Sequence, residues 1–299
     1  YKMKLIIDRK ALSDALVKFS AIIPKRSPKP ILGYLRLDAI SEPVLSGTNL
    51  ETILTTKLDG SITEPGCIAL PYASLVAYVK RASDDAIVIT GDAQQARLSC
   101  GSYVMECALA DPDQLPIVPG GQQGQSVVVS AQHLRRAMQS VMPAIATEVG
   151  RFAGMQGVLI RPYAQGIQCV ATDARMLISV CVPTISTLTM ESIIPQHVVA
   201  TLVAMLRDVE GELTLRIADA MVATDTVGAH LYARAINGKF PPVDSVLANL
   251  PSSSCTIESE QLAAFAGQLA IHSRSTLTLS TDRLHGRTRP TEEDAQPDS

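Results

Sequence analysis

The chain of 299 residues has no tryptophan, and aromatic residues make up only 4% of it. Its core must rest on Leu, Ile, Val, Ala and Met. It has no excess of positive charge either: 26 basic residues stand against 29 acidic ones, a net of -3. That excludes a protein holding nucleic acid by bulk charge, but not one with a local basic face. The six cysteines (Cys67, Cys100, Cys107, Cys169, Cys181, Cys255) form no C-x-x-C pair, and no His lies near them at metal-ligand spacing. Several sit in apolar runs, where Cys acts as a small hydrophobe. Reduced core thiols in a cytosolic chain are the expectation. No apolar run approaches the ~18 residues of a membrane span, and the N-terminus has no signal-peptide pattern. A soluble, cytoplasmic protein is expected. Catalytic signatures are missing as well. His133, His197, His230, His272 and His285 are scattered, and there is no G-x-x-x-x-G-K and no G-x-G-x-x-G after a strand. The acidic groups Asp84-Asp85 and Glu292-Glu293-Asp294 fall in turn or tail positions, which turn chemistry explains better than metal binding. No reaction, metal or cofactor is expected.

What is present is repetition. Val170-Ala171-Thr172-Asp173-Ala174-Arg175-Met176-Leu177 reads as an apolar strand (167–171), a polar corner and a second strand (176–182). Thr and Asp suit a corner because their side chains bond the nearby backbone. Leu45-Ser46-Gly47-Thr48-Asn49-Leu50-Glu51 has the same order, roughly 125 residues earlier. The segments around both copies agree too. Residues 3–8 read as a strand, and Leu12, Ala15, Leu16 and Phe19 give a helical stripe over 9–21. Pro24-Lys25-Arg26-Ser27-Pro28-Lys29-Pro30 is an extended basic loop, since its prolines forbid helix. Strands follow at 31–38, 43–47 and 52–58. The pattern restarts with a strand at 66–70, a helix over 72–82 opened by Pro71 as a first-turn residue, and strands near 86–90, 96–100 and 103–109.

A linker, Pro119-Gly-Gly-Gln-Gln-Gly-Gln125, leads to the second pass. It has strands at 127–129, 155–161, 167–171 and 176–182, helices over 132–142 and 196–207, and strands near 212–217, 221–224 and 229–235. Gly238-Lys239-Phe240-Pro241-Pro242 begins its exit. A third round opens at Cys255-Thr256-Ile257, with a helix over 260–271 and a strand over 277–280, and runs into a polar acidic tail over 288–299 read as loop.

With these residues in view, the chain resembles the bacterial sliding clamp, the DNA polymerase III beta subunit. Pro30-Ile31-Leu32-Gly33-Tyr34-Leu35 is similar to that family's first-domain signature. Thr172-Asp173-Ala174-Arg175-Met176-Leu177 resembles its Thr-Asp-Gly-His-Arg-Leu corner. Gly238-Lys239-Phe240-Pro241, followed by Val246-Leu247, resembles its Gly-Arg-Phe-Pro exit. The resemblance implies an α+β DNA-clamp fold of repeated strand-helix-strand-strand-strand units, with helices lining a concave face and antiparallel sheets outside. It divides the chain into clamp domains at 1–120 and 126–250 and a partial third at 254–299. It implies a ring enclosing double-stranded DNA without sequence preference, a homodimer if the third domain is complete. The partners it implies are the DNA polymerase III alpha subunit, other polymerases and the clamp loader. Enclosure replaces affinity, so weak phosphate contacts suffice and a net acidic chain can serve.

Under this resemblance the DNA-facing residues are Lys25, Arg26 and Lys29 in the Pro-rich loop, Lys80 and Arg81, and Arg135, Arg136, Arg151, His197 and Arg207. An ordinary solvated helix face is the alternative for each. Gln196-His197 stands where the family often has two basic residues, and the third-round helix has no Lys or Arg, so the electropositive lining is thinner. The peptide pocket implied by the resemblance comprises Met155, Thr172, Ala174, Arg175, Met176, Leu177, Pro241, Ser245 and Val246, an apolar floor with a polar rim. Plain core is the alternative for Leu177 and Val246. The family's Gly-His-Arg is Ala174-Arg175-Met176 here and a basic residue is Ser245, so an altered or weakened peptide preference is expected. Two functional readings stand: a polymerase processivity clamp, and a clamp-like peptide-binding module that closes no ring.

Overall fold

Apolar side chains at Met3, Leu5 and Ile7 alternate with outward ones, so Met3–Asp8 is a strand, β1. The period changes at Asp8, whose carboxylate accepts from the Ala11 amide at 2.7 Å and caps α1 (Arg9–Phe19). Such a cap stabilises by about 1 kcal/mol. The helix buries Leu12, Ala15, Leu16 and Phe19, the stripe read from the sequence. Each large apolar side chain so buried contributes roughly 1.5–3 kcal/mol. The computed structural model describes residues 3–83, 86–92, 94–116, 124–148, 152–164, 166–184, 188–218, 220–226, 228–248, 257–269, 275–279 and 284–288. Asp84, Asp85, Arg151, Cys255, His272, most of the linker and the acidic residues of the tail lie outside them. The chain divides into two compact units, Tyr1–Pro241 and Pro242–Ser299.

In the first unit α1 is followed by β2 (Tyr34–Ala39), β3 (Pro43–Thr48), β4 (Thr52–Lys57), β5 (Gly60–Glu64), β6 (Gly66–Pro71), α2 (Tyr72–Arg81), β7 (Ala86–Gly91), β8 (Gln95–Cys100) and β9 (Tyr103–Ala108). A second pass runs β10 (Gln125–Ser130), α3 (Ala131–Val141), β11 (Gly157–Tyr163), β12 (Gly166–Thr172), β13 (Leu177–Pro183), β14 (Ser192–Pro195), α4 (Gln196–Met205), β15 (Glu212–Ala218), β16 (Met221–Thr226) and β17 (Ala229–Arg234). Both passes exchange strands in the same way. β1 precedes α1 but pairs with β7, beyond α2; β6 precedes α2 but pairs with β2. β10 likewise pairs with β15, and β14 with β11. Each half thus lends its first strand to the other, which locks the halves of a pass together.

The passes are joined by one strand pair. β17 lies antiparallel to β4, from Ala229 opposite Thr56 to Ala233 opposite Thr52. It fuses two four-stranded halves into an eight-stranded sheet, β10-β15-β16-β17-β4-β3-β2-β6. The other two sheets of this unit are β5-β1-β7-β8-β9 and β13-β12-β11-β14. All of these pairings are antiparallel. The helices form a row, with α1 packed on α2 and α4, and α4 on α3. Between the row and the sheets lies an aliphatic core, with Phe19 and Tyr78 among its few rings.

Several expectations need correction. The stretch expected as a strand from residue 31 begins as a 3-10 turn, Pro30–Gly33, and β2 starts at Tyr34. Pro71 is not the first helical residue but the cap before it, and it still pairs with Tyr34 as the end of β6. β5 and β14 were not foreseen: β5 is almost wholly exposed and has no apolar alternation, and β14 has only four residues. Of the cysteines, Cys100 and Cys169 are buried, but Cys67 and Cys107 are half-buried and Cys181, on β13, is exposed. Burial pushes the Cys169 thiol up to about 12, so it is inert at neutral pH.

The second unit, taken alone, holds α5 (Val243–Ala248), α6 (Ser259–Leu269) and a hairpin of β18 (Ser275–Leu279) with β19 (Leu284–Thr288). The sequence reading has no α5 and no β19, and Thr288, assigned there to the tail, is the last residue of the hairpin.

Candidate functional site

The corner after β12 is built by two side chains. Thr172 Oγ1 donates to the Met176 carbonyl at 2.7 Å and accepts from the Ala174 amide at 3.1 Å. Asp173 Oδ1 accepts from the Met176 amide at 2.7 Å and the Arg175 amide at 2.8 Å. Those amides, Met176 first, hold the Asp173 carboxyl below its usual range. Ala174 sits at φ +72°, in the left-handed region.

The same corner exists after β3. Thr48 Oγ1 accepts from Leu50 N at 2.9 Å, Asn49 Oδ1 from Thr52 N at 2.7 Å and Glu51 N at 3.1 Å, and Leu50 has φ +81°. The internal repeat is therefore a repeat of hydrogen bonds as well as of letters.

Around the second corner the structure gathers most of the expected pocket residues. Leu159 of β11 pairs with Val170 of β12, and Leu177 pairs with Thr172. The corner and Met155, just ahead of β11, therefore lie at the same end of this sheet. Met155 is buried, Leu177 half-buried, and Ala174, Arg175 and Met176 exposed. The exit segment reaches this end too, since Gly154 N donates to the Lys239 carbonyl at 3.3 Å. A Cβ on Gly154 would stand 2.8 Å from that carbonyl oxygen, so only glycine admits the approach. Pro241, two residues on, is half-buried. Ser245 and Val246 belong to α5 of the second unit, where Ser245 Oγ donates to the Pro242 carbonyl at 2.8 Å and Val246 is 45% exposed.

The expected basic residues fall into two groups on the helix row. Lys25, Lys80 and Arg81 rim a cavity of about 700 Å³ floored by Ile23, Tyr72, Val76 and Ala77, with no acid in its lining. Arg26 and Lys29 are exposed on the adjoining loop, whose turn is held by Lys29 N donating to Ser27 Oγ at 3.1 Å. Arg135, Arg136 and Arg207 line a second cavity of about 360 Å³ together with Gln132, Asp208 and Glu210. Arg135 Nη1 donates to the Arg207 carbonyl at 3.5 Å, while its Nε is buried with no partner in the structure. Arg151 lies outside the described residues.

His197 has a different setting. Its Nε2 is 2.9 Å from Thr52 Oγ1, so it bridges α4 to β4 across the junction of the passes. Burial pulls its pKa below the usual value, against an opposing effect of Glu51, and it stands neutral at pH 7. Lys18, not singled out in the sequence, meets the same junction: its Nζ reaches Thr56 Oγ1 at 3.4 Å and burial lowers its pKa. Its spacing sets it on the polar side of α1, opposite the stripe of Leu12, Ala15, Leu16 and Phe19, so the letters carry no sign of this contact. The histidines that look scattered also include one pair, His230 Nδ1 with Asp225 Oδ1 at 2.8 Å, joined by strand register rather than by sequence spacing. Among the described residues no group of His, Cys, Asp and Glu could hold a metal ion.

Comparison with known proteins agrees with this layout. The family model for the DNA polymerase III beta subunit, N-terminal domain, matches residues 3–119, and that for its central domain matches 128–242. The Beta sliding clamp of Chlamydia pneumoniae is 24% identical over 274 residues, spanning 90% of this chain and 74% of that protein. A DnaN sliding clamp from Bartonella birtlesii, solved with griselimycin bound, superposes with a TM-score of 0.81 at 20% identity, covering 95% of this chain and 80% of that one. The C. crescentus beta sliding clamp superposes at 0.80 and 21% identity, over 98% and 82% of the two chains. With both models together spanning most of its length, the chain belongs to the DNA polymerase III beta subunit family, the DnaN-type sliding clamps.

Proposed function

We propose that this chain is a replication processivity factor that encircles duplex DNA and tethers polymerases, without a reaction of its own. The observation that carries the reading is the strand-exchanged pass made twice and fused through β4 and β17, beneath one row of helices. Such a row offers a continuous inner face, and the groups Lys25, Lys80, Arg81 and Arg135, Arg136, Arg207 at its two ends supply sequence-blind phosphate contacts. Clamp domains at 1–120 and 126–250, a partial third at 254–299, and closure as a homo-oligomer complete this reading; three full domains per chain would close as a homodimer. The chain works in the cytoplasm, where replication places it; no described helix is long and apolar enough to cross a membrane.

The partners are the DNA polymerase III alpha subunit, other polymerases and the clamp loader. They dock by a short apolar peptide at the corner end of β11 to β13, with Met155 and Leu177 as floor and Thr172 and Arg175 at the rim. Ala174, Met176 and Pro241 complete the proposed site within Tyr1–Pro241. Retention decides the matter: loaded protein should stay on closed circular DNA and run off linear DNA. Equal loss from both would overturn the reading. A second reading, a peptide-binding module that closes no ring, is favoured by the neutral His197 and by Asp208 and Glu210 beside the arginines. It requires peptide binding without DNA retention.

A further inference from the structure

Lys25, Lys80 and Arg81 rim a cavity, whereas contact with a duplex phosphate needs only an exposed cation. The cavity of about 700 Å³ falls within the roughly 300–1,000 Å³ of small-molecule pockets. Its floor is apolar, and no Asp or Glu lines it. The floor is fixed by the packing of α1 on α2. Tyr72 Oη donates to the Leu16 carbonyl at 3.2 Å, which ties the ring across the two helices. The wall after α1 is held by the Ile22 and Ile23 amides, which both donate to the Phe19 carbonyl at 3.0 Å. The cavity is therefore formed before anything enters it. A smaller cavity of about 220 Å³ shares Ser20, Tyr72, Val76 and Lys80 with it and continues the apolar groove to Val17, which is 38% exposed.

The internal repeat supplies a control. α2 and α4 have ten residues each, follow strands that end in proline, and pack on the helix before them. Aligned from their first residues, Tyr72 matches Gln196, Lys80 matches Ala204 and Arg81 matches Met205. α1 and α3 have eleven residues each, and counting on from their ends sets Lys25 against Thr147. The same unit is thus built without this ring and without any of the three cations, so the fold does not account for them. The cavity at Arg135 and Arg207 has acids in its lining and no aromatic ring.

A ligand suited to this site has a flat apolar body for the floor and an anionic group for the rim. A nucleotide has both, and it gains from base–aromatic stacking and from cation–phosphate contact together. We propose that the cavity binds one nucleoside monophosphate unit, its base against Tyr72 and Val76 and its phosphate among Lys25, Lys80 and Arg81. A free nucleotide and an unpaired nucleotide of a DNA strand present the same chemistry. The DNA source rests on the clamp reading above; the cavity does not.

The chain has no tryptophan, so the fluorescent base 2-aminopurine can be excited to the red of protein absorption. The full chain is titrated into four probes: 2-aminopurine deoxyriboside 5′-monophosphate, the same nucleoside without phosphate, an oligonucleotide with this base in a single-stranded overhang, and a blunt duplex with it paired. A saturable change in emission is expected for the monophosphate and the overhang. The nucleoside should bind at least tenfold more weakly, and the blunt duplex should show no change. Lys80→Ala with Arg81→Ala should weaken monophosphate binding at least tenfold. Ala77 is exposed on α2, so its replacement leaves the core intact. Ala77→Glu should weaken binding as much, and Ala77→Gln, equal in size, far less. No saturable change, equal binding of the nucleoside, or equal loss in the Glu and Gln variants overturns the site. Tighter binding of the overhang makes the DNA strand the source, and tighter binding of the monophosphate makes it the free nucleotide. Retention of the parent protein on circular DNA is read in parallel. Retention without monophosphate or overhang binding rejects the site and leaves the clamp reading standing; monophosphate binding without retention does the reverse.

Discussion

At the scale of single residues, the two corners are where this chain departs most from easy backbone geometry. Ala174 and Leu50 both occupy the left-handed region, which costs a non-glycine residue roughly 1–2 kcal/mol. The family corner that Ala174 resembles has glycine there. Ala174→Gly and Leu50→Gly should each raise stability by up to about 1 kcal/mol in denaturant unfolding, since relief of strain exceeds the extra freedom glycine has when unfolded. Destabilisation in both variants would mean that the corners are not strained. Thr172 is 5% exposed and uses its hydroxyl in both directions. Thr172→Val removes both bonds and should cost about 1–3 kcal/mol, whereas Thr172→Ser should stay close to the parent. Under the proposed peptide site, the valine variant also binds peptide more weakly with Met155 and Leu177 untouched.

At the scale of elements, side chains from α1 and α4 reach β4 beside its pairing with β17 at the junction of the passes. His197 is the titrating member. Its folded pKa lies below the ordinary 6.5, so the unfolded chain takes up the proton first as pH falls. Its contribution is therefore fully present above the unfolded value and is lost as pH drops below it toward the folded one. Unfolding midpoints measured from pH 8 to pH 5 should decline on the acid side, and His197→Gln should flatten that part of the decline. An identical profile would remove His197 from the account. The elements themselves were largely legible in the sequence, because α1 and α3 have stripes and caps, and β1, β2, β8 and β15 alternate. β5 and β14 were not, because no local pattern marks them: one is paired to β1 and the other to β11 only once the chain has folded.

At the scale of the whole molecule, the proposed clamp function raises the question of how a chain of net charge -3 would meet DNA. The helix row has cations at its ends, while Lys18 and His197, at its middle, are engaged with β4. Few phosphates should then be neutralised at once, and retention should come from enclosure. Arg135→Ala, Arg136→Ala and Arg207→Ala combined should weaken DNA association and make its salt dependence shallower, by roughly 0.9 in the log–log slope for each phosphate no longer neutralised. Residence on closed circles should fall much less than initial association. A variant unchanged in slope would take these arginines off the DNA face.

The sequence alone was enough to establish that one unit occurs twice, because the repeat is written in local signals: a Thr-Asp or Thr-Asn corner, a helical stripe after a strand, a proline before the second helix. It also supplied the cluster of cations between the prolines. Tertiary structure alone decided which strands trade places, that β17 closes on β4, and that His197 serves the junction as a neutral hydrogen-bonding group. Those outcomes depend on pairings between residues far apart in the chain, such as Leu5 with Ile89 and Leu231 with Leu54, and on how much water is left around an imidazole. Neither is encoded in the spacing of neighbouring letters; both are set only when the sheets meet.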